Sequence, residues 1–109
     1  MAKYLFQGSY TEKGVEGLRK EGGSKRRKAI EKVTKGLGGK VEAFYFTFGK
    51  DDFAVIVEVP SGVEAAAVAL AVNASGAVRA RTTVLLSPEE IDKAAKKSVS
   101  YRAPGKPGK

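Results

Sequence analysis

Two adjacent carboxylates, Asp51 and Asp52, lie inside the stretch FGKDDFAVIV at residues 48–57. Two carboxylates that shared one site could hold a metal ion or exchange a proton. Successive strand residues point to opposite faces, however, and no further oxygen ligands follow at the spacing of a calcium loop. Aspartate also favours turns, because its side chain accepts hydrogen bonds from nearby backbone N–H groups. We therefore predict a tight hairpin turn, with Asp52 as a candidate catalytic base at the start of a strand.

Two arginines, Arg79 and Arg81, stand two residues apart in the strand-like stretch AVRARTTVLL and so share one face. An arginine pair offers planar, bidentate recognition of a carboxylate or a phosphate. On a sheet surface the pair would need partners, and Gln7, Tyr45 and Glu58 are the candidates. Two interpretations stay open at this point: an ion-pair network between subunits, or a pocket that binds an anion.

A basic run, SKRRK at residues 24–28, begins a predicted helix. Positive charge at a helix N-terminus opposes the helix dipole, so the run could contact phosphate or nucleic acid. No aromatic interleaving or helix-turn-helix pattern accompanies it, and a solvated helix face is the simpler interpretation. The candidate nucleic-acid contacts are Lys25, Arg26, Arg27 and Lys28. Arg26 lies three residues before Ala29, the first residue of an apolar stripe at helical spacing that we predict to face the core: Ala29, Ile30, Val33 and Leu37.

The composition removes several classes of chemistry. The chain has 109 residues with no Cys and no His, which excludes thiol nucleophiles, disulfides, Cys/His zinc sites and imidazole catalysis. We predict no metal and no cofactor, and the composition leaves open whether the protein is an enzyme. The net charge is +8, with a basic front and tail around an acidic middle, which suits salt-dependent attraction to polyanions, solubility or complementarity between subunits.

Hydrophobic periodicity and turn residues predict the order β-α-β-β-α-β followed by a short terminal helix. With right-handed crossovers this order gives a ferredoxin-like α+β fold, βαββαβ, with a four-stranded antiparallel sheet in the order 4-1-3-2. We expect one domain over residues 1–100 and a basic, Gly/Pro-rich tail over residues 101–109. The predicted strands are 3–10, 40–48, 53–59 and 77–86, and the two predicted capping boxes begin at Ser61 and Ser87.

Alternation along the strands sorts the residues of the sheet into two faces. The face predicted under the helices carries Phe6, Phe44, Phe46, Val55, Val57, Val78 and Ala80. The bare face is predicted to carry Leu5, Gln7, Ser9, Tyr45, Thr47, Ala54, Ile56, Glu58, Arg79, Arg81 and Thr83, with Val41 and Ala43 on the same side as Tyr45. A mixed face of that kind would be covered by a second copy, and two such sheets facing each other form a dimeric α+β barrel.

Nearly the whole chain, residues 3 to about 102, resembles the GYD domain family. The matching stretches include YLFQGSYT, EGGSKRRKAIEKV, GGKVEAFYFTFGKDDFAVIVEVP, ALAVNASGAVRARTTVLLSPEEID and YRAPG. The resemblance implies a ferredoxin-like dimeric barrel and little specific chemistry. In the name-giving motif Gly49 and Asp52 match, whereas Asp51 stands where the family has tyrosine, so a role of that tyrosine is not carried over.

Three hypotheses for function follow. The first is a cytoplasmic binding or structural module, a homodimer or higher homo-oligomer without membrane contact, whose barrel holds a small anionic or aromatic ligand between Gln7, Tyr45, Thr47, Glu58, Arg79 and Arg81. The second is a cofactor-free dimeric-barrel enzyme, in which Asp52 or Glu58 is the base and Tyr10 or Tyr45 positions the substrate. The third is non-specific nucleic-acid binding through residues 19–35 and the basic tail.

Overall fold

Four strands and four helices make up this computed structural model, which describes residues 1–107; Gly108 and Lys109, the end of the predicted tail, lie outside the described residues. The elements in chain order are β1 (Ala2–Tyr10), α1 (Glu12–Glu21), α2 (Gly23–Gly36), β2 (Lys40–Phe46), β3 (Phe53–Val59), α3 (Gly62–Ala74), β4 (Val78–Leu85) and α4 (Pro88–Ala95).

The strands form one antiparallel sheet in the order β2-β3-β1-β4, which is the predicted order 4-1-3-2 read from the other edge. The α+β class, the ferredoxin-like arrangement and the short terminal helix are confirmed. The central strand β1 pairs with β3 in the register Phe6↔Val55 and with β4 in the register Gln7↔Arg81.

Local sequence explains where the helices begin and end. The Thr11 side chain accepts a hydrogen bond from Gly14 N–H at the start of α1, and Gly22, at φ 87°, separates α1 from α2. The capping box predicted at Ser87 is complete, with Glu90 as the second partner. At Ser61 the cap differs from the prediction: the hydroxyl oxygen accepts from Val63 N–H, and the hydroxyl donates to Glu64 Oε1 at 2.6 Å.

The core lies between the sheet and the helices and confirms the predicted covered face. Phe6, Val55, Val57 and Val78 are buried, and Phe44, Phe46 and Ala80 pack against them. Burial of such side chains supplies the main driving force for folding. On the helix side Ala65 and Val68 of α3 complete this cluster, together with the strand residues Phe53 and Val59.

The buried stripe of α2 differs from the predicted one. Thr34 is 1% exposed and its hydroxyl donates to the Ile30 carbonyl at 2.8 Å, whereas the predicted inner residue Val33 is 47% exposed. The inner stripe therefore runs along Arg26, Ile30, Thr34 and Leu37, at the spacing of one helix face. The buried hydroxyl of Thr34 is tolerated in the core because it bonds to the backbone of its own helix.

A β-bulge in β2 corrects the predicted faces. Val41 pairs with Val57, and Ala43 pairs with Ile56, so Glu42 is the extra residue. The extra residue shifts the alternation, and Val41 packs against the core rather than lying beside Ala43 and Tyr45 on the bare face.

The outer edge of β4 is partly occupied by side chains. The Asn73 amide of α3 accepts from Ala80 N–H at 2.8 Å and donates to Ala80 C=O at 3.1 Å. Close by, Thr11 N–H donates to the Ala77 carbonyl at 3.0 Å. These contacts fix α3 and the start of α1 against the beginning of β4.

The segment after β4 extends away from the sheet. Every residue of α4 is exposed, and the molecule measures 60 × 31 × 23 Å, which is elongated for a chain of this length. The exposed apolar side chains of this segment include Leu86, Ile91, Val99 and Tyr101.

Candidate functional site

The four helices leave one face of the sheet uncovered, as the alternation predicts. The register places Leu5, Ala54 and Ile56 next to one another on this bare face, because Leu5 pairs with Ile56 and Gln7 with Ala54. All three side chains are half-buried although no helix covers them. The face therefore has an apolar centre, and charged residues lie at both of its ends.

At one end, Asp51 and Arg81 form a bidentate ion pair. Arg81 Nη1 donates to Asp51 Oδ1 at 3.0 Å, and Nη2 donates to Oδ2 at 2.7 Å. The hydrogen bonds from Arg81 hold the pKa of the Asp51 carboxyl below its ordinary value of 3.8. The side chain of Asp51 is only 15% exposed. The two arginines thus differ, because the fork of Arg81 is already occupied by a carboxylate of its own chain.

Replacement of Arg81 by glutamine (R81Q) should raise the pKa of Asp51 toward 3.8, because the lowering comes mainly from Arg81. A group with a depressed folded-state pKa stabilises the fold above its unfolded pKa, and this contribution is lost as the pH falls through the folded value. The stability difference between wild type and R81Q should therefore be present at neutral pH and vanish in strong acid. Carboxyl ¹³C NMR titration measures the pKa, and an unchanged Asp51 titration in R81Q would contradict the pairing.

Asp52 connects the turn to the end of β1. Its backbone N–H donates to the Gly8 carbonyl at 2.7 Å, and its Oδ2 accepts from Tyr10 N–H at 3.0 Å. The pairing of β1 with β3 ends at Gly8 and Phe53, and Asp52 adds hydrogen bonds to β1 beyond that point. This contact gives Asp52 a structural role, and its role as a catalytic base stays a prediction.

The turn itself is wider than the predicted tight hairpin. Strand β2 ends at Phe46 instead of residue 48, and residues 47–52 form the connection to β3. Thr47 N–H donates to the Asp52 carbonyl at 2.8 Å, and the Thr47 hydroxyl donates to the Asp51 carbonyl. Thr47 thus shapes the turn, and Phe48 at its tip is fully exposed.

Glu58 lies at the opposite end of the bare face and does not pair with the arginines. Its carboxylate contacts Lys3 at 3.7 Å and Lys40 at 3.3 Å, and Lys3 also contacts Glu42 at 3.1 Å. The hydrogen bond from Lys3 to Glu42 raises the pKa of the Lys3 ammonium. Glu58 pairs with Lys3 in the register, four residues along β1 from Gln7 and Arg81, or about 13 Å. The predicted set of six ligand-binding residues is therefore divided between the two ends.

Four residues form one row across the sheet at the Asp51 end. Tyr45 pairs with Ala54, Ala54 with Gln7, and Gln7 with Arg81. Arg79 pairs with Ser9 on the next row, and none of the ion pairs among residues 1–107 includes it. The structure thus brings Gln7, Tyr45, Arg79 and Arg81 to one end of the bare face, where Tyr45 is 69% exposed.

The basic run of α2 is divided between two surroundings. Lys25, Arg27 and Lys28 are exposed, whereas Arg26 is half-buried on the inner stripe. Three of the four predicted nucleic-acid contacts are thus solvated, and Arg26 faces the sheet side of the helix layer instead.

The helix layer contains a cleft that the sequence did not predict. Helix α2 packs on β2 and α1, and α3 packs on β4 and β3, which leaves a space of about 440 Å³ between the two groups of helices. Tyr10 and Arg26 line this cleft together with Gly14, Gly17 and Val72. The sequence does contain a signal for this cleft: Gly14 and Gly17 lie on one face of α1, and their lack of side chains leaves space there.

Tyr10 lies at the base of this cleft in a fixed position. Its ring packs on Phe53 with the ring centroids 5.4 Å apart, and its N–H is held by Asp52. Burial raises the pKa of the Tyr10 phenol, and the positive charge of the neighbouring Arg26 guanidinium acts in the opposite direction.

The described part of the chain holds neither a cluster of metal-ligating side chains nor a membrane-spanning helix. Residues 1–107 contain no cluster of three or more Asp or Glu side chains placed to hold a metal ion. Within the same residues, none of the helices combines the length and the apolar character that crossing a membrane requires.

Comparison with known proteins identifies the family of the chain. The family model described as GYD domain matches residues 4–95, which is most of the chain. No curated protein and no solved structure matches the sequence. The family match runs from within β1 to the end of α4, and the chain belongs to the GYD domain family.

Proposed function

We propose that this protein is a small binding module that self-associates through its bare sheet face and holds a small anionic or aromatic ligand between the two sheets. The observation that carries the proposal is the uncovered face itself, with Leu5, Ala54 and Ile56 at its centre. Soluble monomers rarely leave a contiguous apolar surface open, and such surfaces usually mark interaction sites.

The charges around this face support a second copy as the partner. Burial of an unpaired charge in an interface is costly, whereas a charge that keeps its partner is tolerated. Asp51 is bound to Arg81, and Glu58 is bound to Lys3 and Lys40 within the same chain. A facing copy would therefore cover an apolar centre without leaving these carboxylates unpaired.

The ligand chemistry follows from the residues at the Asp51 end. Arg79 has no carboxylate partner among residues 1–107, and a guanidinium recognises a carboxylate or phosphate through two parallel hydrogen bonds. Tyr45 offers an exposed ring for stacking, and Gln7 offers an amide that both donates and accepts. These groups suit a small anion with an aromatic or other planar body.

The proposal is tested by native mass spectrometry of protein purified from cells, which reads subunit number and any retained ligand together. Wild type should appear as a dimer or larger assembly with an added mass. Ile56→Lys places a charge at the apolar centre and should give monomers without the added mass. Val15→Lys, at an exposed apolar position on α1, is the matched control and should keep both properties.

Circular dichroism checks that Ile56→Lys is folded. The variant should keep the wild-type spectrum, so that a loss of the dimer cannot result from unfolding. A wild-type protein that stays monomeric at every concentration would overturn the proposal. Dimers that form equally well in Ile56→Lys would place the interface elsewhere and would also count against it.

A further inference from the structure

The cleft between the helices is a second concave site, on the opposite side of the sheet from the proposed interface. Its volume of about 440 Å³ falls within the range of small-molecule sites. The cleft is open in a single chain, so its occupation does not depend on self-association. Ligand binding in this cleft is therefore independent of the proposed self-association.

The wall of the cleft is mainly apolar. Ile30 contributes from α2, Val68 and Val72 from α3, and Val78 from β4. A smaller cavity of about 40 Å³ continues beneath it, lined by the same four side chains and by Phe6 and Phe44 among others. Tyr10 and Arg26 border both spaces and so lie where the cleft meets this cavity.

The charged groups of the cleft favour an anion. Lys13, Glu21 and Arg26 are the charged residues that line it, which gives one more positive than negative charge. Arg26 takes part in none of the ion pairs among residues 1–107, although it is half-buried. A half-buried guanidinium gains from a carboxylate, because charge-assisted hydrogen bonds are roughly twice as strong as neutral ones.

The tyrosine supplies a second hydrogen-bonding group beside that charge. Packing on Phe53 and the hydrogen bond from its N–H to Asp52 hold Tyr10 in place at the end of β1. A donor that is already fixed loses little freedom when a ligand binds. Arg26 and Tyr10 together form a small polar patch on an otherwise apolar wall.

We infer that this cleft binds a small monocarboxylate with an aliphatic body, with the carboxylate against Arg26 and the Tyr10 hydroxyl and the aliphatic chain along Ile30, Val68 and Val72. One charge-pairing contact at the base and an apolar wall match an amphiphilic anion. A highly charged ligand fits poorly, because the Glu21 carboxylate also lines the cleft.

Octanoate is the probe, with 1-octanol and inorganic phosphate as chemical controls that carry only the chain or only the charge. Titrations of ¹⁵N-labelled protein should show octanoate shifting the amide signals of Gly14, Gly17 and Ala29. Octanol and phosphate should each bind at least about tenfold more weakly, because each lacks one half of the recognition.

Two variants with one matched control assign the contact. Arg26→Gln should weaken octanoate binding about tenfold or more, the usual effect of removing a charge-assisted hydrogen bond. Arg27→Gln, one residue away on the exposed side of α2, should leave the affinity within about twofold, as expected of a solvated charge. Gly17→Leu should also weaken binding, because a Cβ at Gly17 meets no atom within 4 Å and the new side chain would occupy the cleft.

Gly17→Leu guards against a loss of binding by unfolding, since leucine is the better helix former at this position. Octanoate shifts confined to the bare sheet face, equal affinities for octanoate and octanol, or equal affinities in wild type and Arg26→Gln would each overturn the inference.

Discussion

Replacement of Gly8 by alanine should destabilise the fold by at least about 3 kcal/mol, the upper range for overpacking in a core. Gly8 is buried on the helix side of β1, between Phe6 and Tyr10. A Cβ at this position would stand 1.9 Å from the Arg79 carbonyl oxygen and 2.8 Å from the Ala80 Cα. Both are backbone atoms, so relief requires β1 and β4 to move apart. Urea denaturation followed by circular dichroism measures the loss.

Gly17→Ala is the matched control, because the same change there should have the opposite sign. A Cβ at Gly17 meets nothing within 4 Å, and alanine in a helix is favoured over glycine by about 1 kcal/mol. A Gly8→Ala protein as stable as wild type would mean that β1 and β4 do not approach each other as closely as described.

Replacement of Phe53 by alanine should cost about 3–5 kcal/mol, the usual range for removing a buried phenylalanine. Phe53 is 6% exposed at the start of β3 and packs on the Tyr10 ring. The substitution leaves a cavity in the core and removes the support of Tyr10, so octanoate binding should weaken as well. Thermal unfolding and the same NMR titration measure the two effects.

Phe48→Ala provides the control for the loss of an aromatic ring, because Phe48 is fully exposed at the tip of the turn. It should change stability by less than about 0.5 kcal/mol, as surface substitutions usually do. Similar losses in the two variants would show that ring removal in this region acts through something other than burial.

The sheet was predictable from the sequence because its signals are local. Alternation along β1 and β3 identified the buried residues Phe6, Val55 and Val57, and the turn and capping residues separated the elements. The bulge at Glu42 was not predictable in this way. Nothing in the composition of β2 marks the extra residue, which places Val41 on the opposite face of the sheet from the predicted one.

The pairing of charged residues depends on the register between distant strands. Asp51 and Arg81 are 30 residues apart along the chain, and they become adjacent only once β4 pairs with β1. The register of β3 on β1 places Glu58 beside Lys3 and away from both arginines. Sequence patterns show which face a strand residue occupies, but they carry little information on its position along the neighbouring strand.

The cleft was not predictable because it results from the spacing of α2 and α3 over the sheet. The hydrophobic patterns of α2 and α3 carry no information on the distance between the two helices over the sheet. Arg26 could be placed near the inner side of α2, but its proximity to Tyr10 depends on a rotation of the helix that brings Thr34 into the core.

Asn73 has a consequence for the behaviour of the protein at high concentration. An edge strand with free backbone groups is a template on which another chain can add as a further strand and start a fibril. Because Asn73 occupies both backbone groups of Ala80, an incoming strand meets a side-chain amide at that position. By the alternation of an antiparallel ladder, the backbone groups of Val78, Ala80, Thr82 and Val84 face outward, so the uninterrupted part of this edge begins at Thr82. One amide thus shortens the edge that aggregation could use to less than the length of β4.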